Sequence, residues 1–294
     1  MRVFLTGASG FVGSALVPEL LGAGHRVVGL ARSDASAAAL RAAGAEVYRG
    51  SLEDLESLRD GAAGTDAVVH LAFMRGTSSF AEAARIDAQA VETLGAALEG
   101  SERPFVVATG IGVPAARVAV VPESNSPAAA RLAGPRAALR FLEKKVQTTI
   151  VCLPPATHGP RDTHGFVPRL IAIARERKVA AFVGNGSIRW PAVHVRDAAR
   201  LFHLALEKLP AGAAVHAVAD DGIPIRNVAE VIGRRLGGPV ASIPAADAPT
   251  HCGFMGVLLA RDSPSSGAVA RELLGWEPTQ PGLLVDLESG DYFK

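Results

Sequence analysis

The chain has 294 residues, of which 49% are hydrophobic, and its 30 basic and 29 acidic residues leave a formal net charge of +1. This length and apolar content support one large core or two lobes. The balanced charge, with no basic patch or long charged run, argues against nucleic acid or an anionic membrane surface as a partner.

The two cysteines, Cys152 and Cys252, are far apart in the sequence and form no metal-binding or redox spacing. We therefore expect no disulfide scaffold and no metal site, and we expect a cytoplasmic protein. A strand pattern that begins at Arg2 leaves no room for a signal peptide. No apolar run is long enough to cross a bilayer.

Short apolar runs alternate with longer stretches rich in alanine and leucine over the first half of the chain. This alternation predicts a doubly wound α/β sheet of the Rossmann type over residues 1–155, with helices on both faces of a parallel sheet. The predicted strands are 2–7, 26–31, 45–50, 66–72, 104–110 and 148–154. The predicted helices are 11–23, 34–43, 53–62, 79–99 and 127–145.

Beyond residue 155 the pattern loosens, and we expect a smaller C-terminal substrate lobe made of residues 156–189 and 221–294. The segment 190–220 is predicted to return to the first domain, with a strand at 213–219. The remaining predicted elements are helices at 164–177, 195–208 and 224–236, a loop at 244–267 and a short helix ending in "RELLGWEP".

The segment "FLTGASGFVGSAL" has three glycines between the first strand and the first helix. Glycines in this order permit a tight turn, a close approach to a pyrophosphate, and close packing of helix on strand. The free N–H groups at the helix start favour phosphate binding. The predicted cofactor-binding residues of this turn are Gly7, Ser9, Gly10, Phe11, Val12 and Gly13.

The end of the second strand bears on the choice of dinucleotide. Ala31 stands where an acidic residue would accept the ribose hydroxyls of NAD, and Arg32 and Ser33 follow it. A guanidinium there can pair with a 2′-phosphate, whereas Asp34 is better placed as the N-cap of the next helix. The sequence therefore favours NADP over NAD.

Four segments resemble the extended short-chain dehydrogenases/reductases, specifically the NAD-dependent epimerase/dehydratase group. They are "TGASGFVG", "VVHLA" at 68–72, "LPPATHGP" at 153–160 and "GNGSIRWPAVHVRDAA" at 184–199. The resemblance implies that Leu71 and Ala72 pass the adenosine side of the cofactor. It also implies that Pro154 and Pro155 lie beside the nicotinamide, with His158 in place of a tyrosine.

The chain departs from this family at the catalytic Tyr-x-x-x-Lys pair. Its two tyrosines are Tyr48 and Tyr292, and neither precedes a lysine by four residues. Arg136 and Arg140 preserve the spacing in one register, while the other register places Arg131 and Pro135 there. An arginine is a poor general acid near neutral pH.

Other side chains can then carry the chemistry. His158 is the best candidate for a general acid, because an imidazole titrates near neutrality. Thr109 follows as a hydrogen-bond donor to a substrate carbonyl. His70 and His194 are expected to be packed within the fold. The predicted substrate-binding residues are Phe73, His164, Arg189 and Trp190, with core packing as the alternative for Phe73 and Trp190 and a structural ion pair for Arg189.

Two functions remain open on these grounds. The first is an NAD(P)-dependent oxidoreductase or epimerase/dehydratase acting on a small carbonyl, enone or sugar-like substrate. The second is a non-catalytic NAD(P)-binding redox sensor or scaffold protein, which the missing tyrosine favours. The resemblance also implies a possible homodimer through the helices at 79–99 and 127–145.

Overall fold

A computed structural model describes residues 1–74, 77–110, 116–117 and 132–294. The chain divides into two compact units. The first unit contains Met1–Cys152, Ala199–His216 and Val269–Trp276. The second unit contains Leu153–Ala198, Ala217–Ala268 and Glu277–Lys294.

The first unit is built on an eight-stranded sheet in which seven strands are parallel and the edge strand β6 is antiparallel. The order is β3-β2-β1-β4-β5-β7-β11-β6, and its first five strands follow the doubly wound order. The doubly wound parallel sheet is therefore confirmed. The strands are β1 (Arg2–Thr6), β2 (Arg26–Ala31), β3 (Glu46–Arg49), β4 (Ala67–His70), β5 (Pro104–Gly110), β6 (Ala116–Arg117), β7 (Gln147–Leu153) and β11 (Ala213–His216).

The helices of this unit connect and cover the strands. One face of the sheet buries Phe4, Val68 and Phe105 against helix residues such as Leu94 and Phe141. Apolar side chains on both faces of nearly every strand explain why these strands are continuous apolar runs. The helices are α1 (Phe11–Gly22), α2 (Asp34–Ala42), α3 (Leu55–Ala63), α4 (Phe80–Ala97), α5 (Ala133–Leu139), most of α7 (Val195–Lys208) and most of α11 (Ala268–Leu274).

The second unit has two small sheets around its own core. A three-stranded sheet has the order β12-β10-β8, and a two-stranded sheet pairs β13 with β9. Its core includes Trp190, Val228 and Met255. The strands are β8 (Ala156–His158), β9 (Ala180–Val183), β10 (Arg189–His194), β12 (Asp220–Pro224) and β13 (Val240–Ile243). The helices are α6 (Phe166–Arg177), α8 (Ile225–Leu236), α9 (Ala248–Cys252), α10 (Phe254–Leu259) and α12 (Leu283–Ser289).

The segment that returns to the first unit is Ala199–His216, shorter than the expected 190–220. The reason is that β10 pairs with β8 and β12 in the second unit, while β11 pairs with β7 in the main sheet. In the C-terminal region, Val269–Trp276 also belongs to the first unit.

Two local predictions need correction. The expected loop at 244–267 contains the helices α9 and α10, which are fixed by burial of Cys252, Met255 and Leu259 in the core. Within the described residues of 127–145, the α-helix covers only Ala133–Leu139, and a 3₁₀ turn follows it. Residues 127–131 lie outside the described part of the chain. Among the helices that are described, none has the length and apolarity needed to cross a membrane.

Candidate functional site

The glycine turn of the first unit joins β1 to α1 at the carboxyl end of the parallel strands. Gly7 has a φ of +70°, and a Cβ on it would lie 2.7 Å from the backbone nitrogen of Ala72. A Cβ on Gly13 would lie 2.1 Å from the carbonyl oxygen of Gly7. Any larger residue at either position would force the turn away from β4 or away from its own helix.

The start of α1 is uncapped and open to a ligand. Gly10 is the N-cap residue, no side chain caps the helix, and the first turn has no acidic residue. Ser9 and Gly10 are exposed, while Phe11 and Val12 are partly exposed. The free backbone N–H groups and the positive end of the helix dipole fit the pyrophosphate of a dinucleotide. The residues present therefore fit the cofactor that the sequence predicts.

The end of β2 lies beside this turn, because β2 pairs with β1. Arg32 is exposed, and its guanidinium contacts the sulfur of Met74 at 3.9 Å. No carboxylate of the described residues forms an ion pair with it. Asp34 pairs with Arg49 across the surface. Arg32 is thus a cation at the ribose end of the predicted cofactor site. Within the described part of the chain, its guanidinium forms no ion pair.

The expectation that Asp34 is the N-cap residue of α2 is wrong. Ser33 is the N-cap residue, and its hydroxyl accepts a hydrogen bond from the Ser36 N–H at 3.2 Å. Asp34 is the first helical residue. The Ser33 hydroxyl is therefore engaged in a capping box, and the expected cofactor contact of this side chain competes with it.

The segment after β4 borders the glycine turn. Leu71, Ala72 and Phe73 are each partly exposed, and the Ala72 N–H donates to the hydroxyl of Thr6 at 3.3 Å. The Phe73 ring lies 5.7 Å from that of Phe80, centroid to centroid. These residues form a second, mainly apolar border of the same exposed edge.

A buried polar chain underlies this edge. His70 Nδ1 lies 2.8 Å from the Thr6 hydroxyl, and its Nε2 lies 3.3 Å from Oδ1 of Asp87 on α4. All three residues are buried. His70 is packed and hydrogen-bonded, as the sequence suggested, and Asp87 is a partner that the sequence did not reveal.

Thr109 lies inside β5, within the predicted strand 104–110, and it is 2% exposed. In this arrangement the Thr109 side chain is enclosed by the fold, so a substrate carbonyl cannot reach its hydroxyl. Its catalytic role remains a prediction that burial makes unfavourable.

His158 is fully buried in the second unit, at the end of the short strand β8. Its Nδ1 lies 2.8 Å from Oδ2 of Asp286, and its ring lies 5.4 Å from the ring of His194 in a T-shaped arrangement. Its Nε2 has no hydrogen-bond partner among the described residues. Because no surface of the imidazole is accessible, a substrate cannot touch it in this conformation, and its position argues against the predicted role as general acid.

Tyr292 completes the group around Asp286. Its hydroxyl accepts from the Gly159 N–H at 2.7 Å and donates to Asp286 Oδ2 at 3.2 Å. Burial raises the pKa of the Tyr292 phenol, and the neighbouring Asp286 carboxylate raises it further. The phenol is therefore a neutral structural donor and a poor acid.

The charges around Asp286 keep it ionised. Burial by itself raises the pKa of this carboxyl, but the hydrogen bond and the charge of His158, with His194 and Tyr292, outweigh burial and leave the pKa lowered. We refer to His158, His194, Asp286 and Tyr292 as the Asp286 group. Sequence reasoning missed Asp286 because it is 128 residues from His158.

Pro154 and Pro155 lie between β7 and β8, with Pro154 buried and Pro155 partly exposed. The Pro154 carbonyl accepts from the Thr157 hydroxyl at 3.1 Å. The position of both prolines beside a nicotinamide remains a prediction.

The remaining predicted substrate residues are dispersed in the second unit. His164 is exposed, with its Nδ1 2.6 Å from the Thr163 hydroxyl. Arg189 binds Asp262 through Nε at 3.2 Å and Nη2 at 2.8 Å. Trp190 is 2% exposed and donates its indole N–H to the Leu258 carbonyl at 3.3 Å. The structural alternatives, an ion pair for Arg189 and core packing for Trp190, describe these two residues.

A doubly wound sheet with an open glycine turn after its first strand defines the class of dinucleotide-binding enzymes. Residues 3–218 match the model of the NAD dependent epimerase/dehydratase family. The chain belongs to this family, and it is an enzyme of the oxidoreductase or epimerase type that depends on a nicotinamide dinucleotide.

Three proteins show what the chain is similar to. The uncharacterized protein C2A9.02 of Schizosaccharomyces pombe is 46% identical over 100% of both chains. A 4-hydroxy-2-methyl-3-oxo-4-farnesyl-3,4-dihydroquinoline-1-oxide ketoreductase of Stigmatella aurantiaca is 30% identical over 76% of this chain and 70% of its own length. A solved structure of a dTDP-glucose 4,6-dehydratase double mutant from Streptomyces venezuelae, with NAD and DAU bound, has a TM-score of 0.76 at 21% identity and covers 100% of this chain and 96% of that one.

Proposed function

We propose that the protein is an NADP-dependent oxidoreductase that reduces a small carbonyl compound, an enone or a related sugar-like molecule. The observation that carries this proposal is the open turn at Gly7–Gly13 with the guanidinium of Arg32 beside it. The similarity to a ketoreductase supports a carbonyl substrate.

The preference for NADP rests on charge at the end of β2. Ala31 offers no carboxylate for a ribose hydroxyl, Asp34 is paired with Arg49, and Arg32 has no ion-pair partner among the described residues. A guanidinium in this place binds a 2′-phosphate through charge-assisted hydrogen bonds. The backbone of the turn would hold the pyrophosphate, and Leu71, Ala72 and Phe73 would border the cofactor.

When bound, NADPH supplies a hydride to the substrate carbon, and the carbonyl oxygen of the substrate then needs a proton. The chain has no tyrosine outside Tyr48 in β3 and Tyr292 in the Asp286 group, and the imidazole of His158 is enclosed. We therefore propose that the proton comes from solvent water rather than from a side chain that replaces the family tyrosine. The contribution of the chain is to bind and orient the reactants.

The proposal is tested by titrating purified protein with NADPH and NADH and by measuring NADPH consumption across carbonyl, enone and sugar-nucleotide substrates. NADPH should bind roughly tenfold or more tightly than NADH, since a charge-assisted hydrogen bond contributes about 1.5–3 kcal/mol. Arg32→Asp should erase or reverse this difference. Arg26→Asp, at the exposed opposite end of the same strand, should leave it unchanged. Equal affinities in the unmodified protein would rule out NADP specificity.

The alternative of a non-catalytic sensor has less support, because the family model is one of enzymes, and only the buried, paired imidazole of His158 favours it. A protein that binds NADPH tightly but consumes none with any substrate of the panel would favour this second function.

A further inference from the structure

A cluster of metal-ligating side chains lies in the first unit, apart from the glycine turn. His25 directly precedes β2, while His203 and Glu207 are four residues apart on α7 and so share one helix face. Glu19 on α1 completes the surroundings of His203. We refer to His25, His203 and Glu207 as the His–Glu cluster.

The carboxylate of Glu207 lies between the two rings. Its Oε1 is 3.1 Å from Nε2 of His25, and its Oε2 is 3.4 Å from Nε2 of His203. The ligand atoms of all three residues lie within 4.8 Å of one another. Ligands that hold Zn²⁺ tetrahedrally at about 2.0–2.1 Å are about 3.4 Å apart, so the cluster approaches the required spacing.

One ring nitrogen of the cluster is enclosed without a hydrogen bond. His203 Nε2 is shielded from solvent and has no hydrogen-bond partner among the described residues, although the Glu207 oxygen is nearby. A buried polar atom in this state needs a ligand, an ion or a water. It points toward the same carboxylate that His25 contacts.

The outer contact of His203 favours metal binding through this nitrogen. Its Nδ1 lies 3.1 Å from Oε1 of Glu19, and a carboxylate in this position holds the proton on Nδ1. The lone pair of Nε2 is then directed into the cluster. The same carboxylate–histidine arrangement orients the ligands of known zinc sites.

We propose that His25, His203 and Glu207 form a binding site for a divalent transition-metal ion of the zinc type, with Glu19 as the outer partner of His203. His25 Nδ1 lies 3.3 Å from the terminal ammonium of Met1, which places the ring proton on Nε2, so metal binding at Nε2 releases that proton to solvent. Imidazole nitrogens combined with one carboxylate suit zinc, whereas magnesium and calcium require oxygen ligands. Water can fill the fourth position.

The site is structural rather than catalytic because of its place in the fold. Glu19 is nine residues beyond Gly10 along α1, which corresponds to about 13 Å of helix. His25 lies where β2 begins, at the amino end of the parallel strands, and the glycine turn lies at their carboxyl end. A bound ion would join α1, β2 and α7 without touching the predicted cofactor site.

The experiment uses untagged full-length protein, treated with EDTA and dialysed, and titrated with ZnCl₂ by calorimetry with metal analysis after equilibrium dialysis. We expect one zinc per chain and a higher melting temperature with zinc, and no such effect of MgCl₂. His203→Gln and Glu207→Gln should each weaken binding by roughly tenfold or more and abolish the thermal shift. His251→Gln, on α9 in the second unit, is the matched control and should behave as the unmodified protein.

Cobalt provides a second readout that does not depend on protein stability. Co²⁺ in the unmodified protein should give visible absorption bands of a four-coordinate site with nitrogen and oxygen ligands, and His203→Gln should lose them. Zinc binding that is absent, or that is equally strong in His203→Gln and Glu207→Gln, would overturn the proposal. The cluster would then be an ion-pair network of two histidines and two glutamates.

Discussion

The glycine turn of the first unit and the segment Leu153–Gly159 of the second were both expected to hold the cofactor, yet their polar groups are used in opposite ways. The turn leaves Ser9 and Gly10 exposed at the start of a helix that no side chain caps, although the Gly10 N–H itself donates to the Gly7 carbonyl oxygen at 2.9 Å. In the second segment, His158 is fully buried on Asp286, and the Gly159 N–H is bonded to Tyr292.

This difference separates binding from stability. Polar groups that the fold leaves open must be satisfied by water or a ligand, whereas groups that already have partners contribute to folding and offer little to a ligand. We therefore expect the turn to bind the cofactor and the Asp286 group to stabilise the second unit. Four changes test this comparison.

The largest effect is expected for Gly13→Ala. The new Cβ would lie 2.1 Å from the Gly7 carbonyl oxygen and 2.7 Å from the Cα of Ala8, so the turn must open and its N–H groups must move away from the pyrophosphate. NADPH affinity, measured by fluorescence titration, should fall by about 10²-fold, which corresponds to about 2.7 kcal/mol.

Gly22→Ala is the matched control, because it is in the same helix and a Cβ there has nothing within 4 Å. It should leave the affinity unchanged. If Gly13→Ala bound NADPH as well as the control and kept its melting temperature, the turn would not be the binding element.

The second change is the pair His158→Phe and His158→Asn. Phenylalanine removes the donor to Asp286, so the free energy of unfolding should fall by about 2 kcal/mol, because a buried carboxylate loses a partner. Asparagine places an amide donor near the position of Nδ1 and should lose less. Chemical denaturation at neutral pH measures both.

Turnover distinguishes a structural His158 from a catalytic one. If the imidazole is only a partner of Asp286, kcat should change by less than roughly threefold in both variants. A loss of about 10²-fold in both, including the asparagine variant that keeps the hydrogen bond, would establish general acid catalysis by His158 after all.

The third change addresses pH. Burial lowers the pKa of His194 below its usual 6.5, and His158 and Arg196 add to this, while Asp286 and Asp197 act in the opposite direction. The folded protein then binds a proton at His194 less readily than the unfolded chain does. The contribution of neutral His194 to the free energy of unfolding is therefore fully present above pH 6.5 and declines as the pH falls below that value.

His194→Asn should reduce this loss, because the amide oxygen can still accept from the Arg196 N–H that is 3.2 Å from Nδ1 but does not titrate. The free energy of unfolding, measured from about pH 7 to pH 5, should fall less steeply in the variant. Asp286 acts in a separate window, since its lowered pKa removes stability only below its usual 3.8. His164→Asn, which changes an exposed histidine, should retain the slope of the unmodified protein.

A difference between local and distant contacts explains which features the sequence could predict. The order of strands and helices in the first unit, and the bounds of a helix such as Val195–Lys208, follow from local apolar patterns and appear in the structure. The glycine turn is also local, since three residues at fixed spacing determine its geometry.

The second unit depends on contacts between distant residues. Asp286 is 128 residues from His158, so no spacing rule could pair them. The same holds in the first unit for Glu207, which is 182 residues from His25. The helices at Ala248–Cys252 and Phe254–Leu259 are too short to form without tertiary packing. Both helices were missed from the sequence alone because the residues that pack against them are distant in the sequence.

The smallest effect is expected for Arg189→Gln, at a residue that the sequence predicted to bind the substrate, with a structural ion pair as the alternative. Its guanidinium already binds both oxygens of Asp262, and its backbone N–H donates to Oδ1 of the same carboxylate at 2.7 Å. The pair is largely exposed, so its loss should change the melting temperature little. Because the Nε and Nη2 groups of Arg189 are engaged by Asp262, the KM for a substrate found in the carbonyl panel should change by less than roughly threefold.

Asp262→Asn provides the complementary measurement, since this change weakens the hydrogen bonds to the Arg189 guanidinium but leaves the guanidinium in place. If KM rose about tenfold or more in Arg189→Gln and fell for an anionic substrate in Asp262→Asn, the guanidinium would be a substrate ligand that Asp262 restrains, and the second unit would contribute to binding as well as to stability.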